Sequence, residues 1–196
     1  MERAPKWCPT QGEKELLARA WAEYEHPEIK NIALAAARTE AAGYGIWTRV
    51  EEVMEFSRRA GFRHLGIAFC SGLRREARVV QEIFEKNGFL VTSAMCKMGS
   101  IPKEELGLRP EEKLPGEEFD PMCNPIAQAM LLNQAHTDFN VLVGLCVGHD
   151  SLVIRYAKAP VTVLVAKDRV LGHNPAAALY CRHSYYEGKL FSHPAC

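Results

Sequence analysis

Two hydrophobic patterns divide the chain near residue 62. Before it, apolar positions recur at helical spacing, and Leu16, Leu17, Ala20, Trp21 and Tyr24 share one face of a helix predicted over 12–24. Pro27 opens a second, Ala-rich helix through Ile29, Ile32 and Leu34 toward Gly43. Thr48 with Glu51 reads as a capping box for a third helix, ended by Gly61, with Val50, Val53 and Met54 turned inward. These helices form an N-terminal segment, 1–61, expected to cover a sheet built by 62–196 within a single domain.

After residue 62, short apolar runs alternate with amphipathic stretches. Residues 64–70 read as a buried strand, followed by a helix that Ser71 is expected to cap, with Leu73, Ala77, Val80 and Phe84 inward and Asn87-Gly88 closing it. A second strand spans 89–95. The charged, proline-bearing stretch 97–122 has no period and is expected to lid a site or pack on one edge. Asn124-Pro125 starts a helix carrying Ile126, Ala129, Met130 and Leu132, and 140–145 is a third strand. Asp150 is expected to cap a short helix to Tyr156, 161–166 is a fourth strand, and Asn174-Pro175 starts a helix ending near Tyr180. Strands separated by helices need crossovers, so the fold class is α/β: a three-layer, mostly parallel, four-stranded Rossmann-like sheet with helices on both faces and the N-terminal helical segment. A 2-1-3-4 strand order would bring Cys70 beside Cys146 at the switch point.

The 196 residues are 47% hydrophobic, which supports one ordinary core. Charge is balanced, 24 Lys+Arg against 24 Asp+Glu, so electrostatics point to no nucleic-acid partner. No apolar run approaches the roughly 20 residues of a membrane helix, and no signal-peptide pattern opens the chain; a cytoplasmic protein is expected. The odd set of cysteines, Cys8, Cys70, Cys96, Cys123, Cys146, Cys181 and Cys196, argues against a closed disulfide framework. Such thiols are ligands, nucleophiles or core residues.

Topology separates these options. Cys70, Cys96 and Cys146 end the first, second and third predicted strands, and Cys123 directly precedes a helix start, so all four belong to the rim where open parallel sheets bind ligands. Four soft donors suit an iron–sulfur cluster of the four-iron, four-sulfide type or a tetrahedral zinc. Spacing of about one βα unit favours the cluster, since structural zinc usually arrives with close Cys-x-x-Cys pairs. Against this stands plain core filling, the commonest fate of a buried cysteine, and a metal-free thiol enzyme for sulfur transfer or redox work using Cys70 or Cys146. His149 and Asp150, one turn beyond Cys146, are candidate catalytic residues, proton donor and partner, or else a backbone-bonded His and a helix cap. Lys97 stands beside Cys96, and Lys167, Arg169 and His173 follow the fourth strand, where they bind an anionic substrate or form a solvated loop. Cys8, Cys181, His183, His193 and Cys196 lie near the chain ends, where exposure is the default.

Long strings then carry a resemblance: Gly66-Ile-Ala-Phe-Cys-Ser-Gly-Leu73, Cys96-Lys-Met-Gly99, Met122-Cys-Asn-Pro-Ile-Ala-Gln-Ala129, Thr137-Asp-Phe-Asn-Val-Leu-Val-Gly-Leu-Cys-Val-Gly-His-Asp150, and Ala159-Pro-Val-Thr with Lys167-Asp-Arg-Val-Leu-Gly-His-Asn-Pro175. From about residue 12 to 182 the chain resembles the DUF1847 family of uncharacterised metal-binding proteins. The resemblance implies metal binding at Cys70, Cys96, Cys123 and Cys146. The family's N-terminal segment carries further cysteines before a Cys-Pro-Thr, of which this chain has Cys8-Pro9-Thr10 alone. Expected partners are a small-molecule substrate or a redox protein, and turnover requires an open coordination position.

Overall fold

The computed structural model describes residues 8–114, 116 and 119–192; His193 and Cys196 lie outside them. The chain divides between Gly61 and Phe62 into two compact units.

The first unit is helical: α1 (Pro9–Gly12), α2 (Lys14–Glu23), α3 (Pro27–Gly43) and α4 (Arg49–Ala60). The Thr48–Glu51 capping box forms, and Gly61 ends α4 with φ 82°, a left-handed turn that glycine adopts without steric cost. α3 packs on α4, and Asn31 Nδ2 donates to Ala60 O at 2.9 Å. The buried stripe of α3 is Ala35, Thr39 and Gly43, while Ile29 and Leu34 stay exposed. Small residues allow close approach here: a Cβ on Gly43 would sit 2.2 Å from the Trp47 ring. α2 has the predicted one-sided pattern but buries none of its residues, and Trp21 is 70% exposed.

The second unit holds β1 (His64–Phe69), α5 (Arg74–Lys86), β2 (Leu90–Met95), α6 (Pro125–Gln134), β3 (Phe139–Val143), α7 (His149–Tyr156), β4 (Val161–Val165), α8 (Ala176–Tyr180) and α9 (Glu187–Leu190). The sheet order is β2-β1-β3-β4 and every pairing is parallel. Right-handed crossovers in this order send α5 to one face and α6 and α7 to the other, giving three layers. Side-chain alternation agrees: Phe69 and Ser93 line a cleft with Arg74, Ala77 and Gln81 of α5, whereas Ala68, Ala94 and Leu142 pack with Ala129 and Leu132 of α6 and Val153 of α7.

Three expected caps are replaced. Ser71 opens a 3-10 turn, Ser71–Leu73, instead of capping α5. Gly148 precedes α7 with φ 85°, so Asp150 lies inside the first turn and accepts from the Ser151 amide at 2.8 Å. Asn174 makes no side-chain cap to α8, and α9 was not foreseen. Asn124 does cap α6, accepting from the Ala127 amide at 3.0 Å. Met130 of α6 is exposed, and Gln128 takes the buried face in its place. Among the described residues no helix is long and apolar enough to cross a membrane.

Candidate metal centre

The β1–β2 register places two of the cysteines. Phe69 pairs with Met95, so Cys70 and Cys96 are the next rungs; the Cys96 amide donates to Phe69 O at 2.9 Å and the Cys70 amide to Val143 O at 3.1 Å. Equivalent rungs of parallel neighbours point to the same face, here the face of Ala68 and Ala94 beneath α6. Both thiols are buried, Cys96 to 1% exposure. Gln128 of α6 fixes this end of the sheet from below, its Nε2 donating to Phe69 O at 3.1 Å and to Ala94 O at 2.7 Å, while its Oε1 is buried without a partner among the described residues.

Cys123 reaches the same place from the far end of the 97–122 excursion. The Asn124 amide donates to Cys96 O at 2.6 Å and the Met122 amide to Ile101 O at 2.8 Å, and Pro102 bridges Pro121. Asp120, 1% exposed, closes the base of the excursion by pairing with Lys97 at 3.3 Å and with Lys103. Cys123 packs against the apolar cluster that contains Cys70 and Cys96. Cys146 follows β3 on the turn between Gly144 and α7 and is half-buried.

The four thiols form one electrostatic unit. Cys96 is the neighbour that acts most strongly on both Cys70 and Cys123, and Cys123 feels the charges of both Cys146 and Cys70. Cys70 is pushed up to about 12, first by its contact with Cys96 and then by burial, against the pull of Lys167 and the Gly72 amide. Cys123 is lowered to about 7 by Cys96, against burial and its thiol neighbours, with Lys97 assisting. Donors surround the set: the Ser71 amide to Cys96 Sγ at 3.3 Å, Lys167 Nζ to Cys70 Sγ at 2.6 Å, and Arg169 Nη2 to Cys146 Sγ at 3.2 Å. Cys146 in turn raises the Arg169 guanidinium above its ordinary value.

Cys70 and Cys96 therefore share one face of the sheet end, Cys123 packs against their cluster, and Cys146 lies on the turn after β3. They do not form a tight single-ion cage: among the described residues no group of three or more His, Cys, Asp or Glu is placed to hold a metal ion. His149 and Asp150 stand at the start of α7, their amides donating to Cys146 O at 3.0 and 3.2 Å, and neither side chain bonds a thiol among the described residues. Lys97 turns to Asp120 and acts on Cys123. Cys8 lies in the first unit and Cys181 is exposed; both are free thiols. Sequence reasoning missed Asp120 and Gln128. Gln128 was detectable as the polar member of an apolar helix face with Pro125, Ala129 and Leu132; nothing marked Asp120 within an aperiodic charged stretch.

Asp120 gives a test of this base. Lys103 and Lys97 hold its carboxyl below the ordinary aspartate range, so its stabilising contribution is complete at neutral pH and is lost as pH falls through and below that range. Asp120→Asn should cost about 2 kcal/mol at neutral pH, less than a fully buried pair because both lysines keep some solvent contact. Urea titrations of both proteins at neutral pH and in acid check this, the gap between them closing in acid.

Of the comparisons with known proteins, a family model described as "Protein of unknown function (DUF1847)" matches residues 8–164. The "Uncharacterized protein MJ0455" of Methanocaldococcus jannaschii is 42% identical over 177 residues, 90% of this chain and 89% of that protein. No solved structure matches. A match over most of the chain, together with a relative this similar along nearly its whole length, places the protein in the DUF1847 family.

Proposed function

We propose that this is a cytoplasmic metal-centre protein that holds an iron–sulfur cluster, of the four-iron, four-sulfide type, through Cys70, Cys96, Cys123 and Cys146, with a redox or small-molecule role. The observation that supports the reading most is the meeting of four thiols from four separate segments at the carboxyl end of a parallel sheet, with Lys167, Arg169 and the Ser71 amide all donating to sulfur. The donor set fits the group. Soft thiolates are the ligands such clusters take, and N–H donors aimed at sulfur stabilise the negative charge of the ligated state.

When bound, the cluster supplies one-electron transfer, or Lewis acidity where one iron lacks a protein ligand. This chain's residues do the rest. Cys70, Cys96 and Cys123 pack against the buried apolar layer, which excludes water from one side of the site. Cys146 stands on the rim beside Val147, which is 94% exposed, so a small substrate or a redox partner protein approaches from there. His149, half-buried at the start of α7, is the proton donor on that approach, with Asp150 beside it.

The test is an absorption spectrum with iron, zinc and sulfide analysis on protein purified without oxygen. The expected result is a brown protein with iron and sulfide in equal amounts, about four of each per chain. A colourless protein with one tightly held zinc would replace the cluster by a structural or regulatory zinc. A protein that takes up neither metal would leave a thiol enzyme or core cysteines.

A further inference from the structure

Two cations reach two different thiols from one short loop. Lys167 and Arg169 flank Asp168 in the segment between β4 and α8, which lies beyond the residues 8–164 of the family match. Lys167 goes to the buried Cys70 and Arg169 to the rim Cys146, at the 2.6 and 3.2 Å given above. The loop is held in this shape from within. Asp168 Oδ1 accepts from the Val170 and Leu171 amides at 2.9 and 2.8 Å, the His173 amide donates to Asp168 O at 2.8 Å, and the Asp168 amide donates to His173 Nδ1 at 3.1 Å. His173 adopts φ 66°, uncommon for a side-chain-bearing residue, and the closed ring of hydrogen bonds holds it there. The Asp168 carboxylate is engaged by backbone amides, and among the described residues neither cation is ion-paired with a carboxylate.

We propose that the loop 166–175 is a cationic clamp: Lys167 and Arg169, held apart by the Asp168–His173 ring, each balance the charge of a different cysteine of the metal centre, and so set its reduction potential and its retention of metal. This rests on the metal-centre reading above. A ligated four-thiolate set carries net negative charge in either oxidation state, and a fixed cation at each of two sulfurs favours the more negative, reduced state. Cys70 is buried and Lys167 partly so, which limits screening by water and salt. Lys167 also has a backbone arranged around it. Gly72 lies beside this pair, its Cβ position 3.8 Å from both Cys70 Sγ and Lys167 Nζ.

The experiment compares full-length wild-type protein, purified and reconstituted without oxygen, with Lys167→Met, Arg169→Met and the double variant, and with Lys167→Arg and Arg169→Lys, which keep the charge. At one applied potential near the wild-type midpoint, each neutral variant should lower the reduced-to-oxidised ratio about tenfold, a shift of about 59 mV for one electron, and the double variant more. Each should also lose metal to a chelator about tenfold faster, whereas the charge-keeping variants stay within about twofold of wild type. Loaded neutral variants with unchanged potential and unchanged retention would overturn the clamp and leave the metal reading standing. If wild-type protein takes up no metal, the metal reading falls and the clamp with it. Should the protein carry zinc, the chelator challenge decides, with the same tenfold loss expected. Arg169 is exposed, so its variants report on charge even if Lys167→Met lowers stability.

Discussion

Cys96→Ser should abolish metal retention, leaving less than about one hundredth of the wild-type affinity, while Cys8→Ser and Cys181→Ser leave metal content unchanged. Cys96 is the thiol on which the other contacts depend. It is buried, it acts on both Cys70 and Cys123, and it receives the Ser71 amide at 3.3 Å. Serine keeps the size but replaces a soft, ionisable donor with a hard hydroxyl that binds these metals poorly. The protein itself should still fold, because a small hydroxyl at this site has the Ser71 backbone and side chain within reach, and the cost is about 1–2 kcal/mol. Metal and sulfide analysis beside a thermal melt separates the two effects. An intact metal content in Cys96→Ser would remove Cys96 from the ligand set and break the proposed centre.

The fold was legible because its signals were periodic. Short apolar runs separated by one-sided helices dictate a parallel sheet with crossovers; they do not fix its order, and the observed β2-β1-β3-β4 is the arrangement that sets Cys70 beside Cys146 at the switch point. Local chemistry was legible where a side chain and its target are adjacent, as in the Thr48–Glu51 box and the Asn124 cap. It failed where a long-range partner competes. Ser71 is drawn to the Cys96 sulfur, 25 positions away in sequence, and so does not cap α5; the start of α7 is set by the left-handed Gly148, which moves Asp150 into the first turn. The same holds at the site. Strand ends marked Cys70 and Cys96 as candidates, with Cys146 on the turn after β3, but the role of Asp120 depends on two lysines brought to it by an aperiodic excursion, and no spacing rule encodes that meeting. Lys167 and Arg169 were visible as a charged loop after a strand. That each would find a different sulfur follows from the hydrogen-bonded ring around Asp168, which only the folded backbone displays.

Gly144→Ala should destabilise the second unit by about 2–5 kcal/mol and weaken metal retention at the same time. Gly144 ends β3 with φ 61°, and its amide donates to Val165 O at 2.8 Å, so the backbone is fixed in the left-handed region by the sheet. Holding alanine in that region costs about 1–2 kcal/mol. A Cβ there would also stand 2.4 Å from Leu73 Cδ2 and 3.1 Å from Leu73 Cγ, and Leu73 is 3% exposed, so it cannot swing into solvent. Overpacking of this kind adds about 1–3 kcal/mol. The two residues tie the site together: the Leu73 amide donates to Cys70 O at 2.8 Å, and Gly144 lies two positions before Cys146. Relief of the clash therefore separates the turns that carry Cys70 and Cys146. Gly148→Ala is the control, since φ 85° imposes the backbone cost there with nothing within 4 Å of the added carbon. It should lose about 1–3 kcal/mol in urea titration, the backbone cost alone, and keep its metal. The double variant Gly144→Ala with Leu73→Ala should lose less than the sum of the two single losses, because the truncated leucine makes room for the methyl. Strict additivity would place the damage of Gly144→Ala in the backbone alone and detach Leu73 from the support of the site.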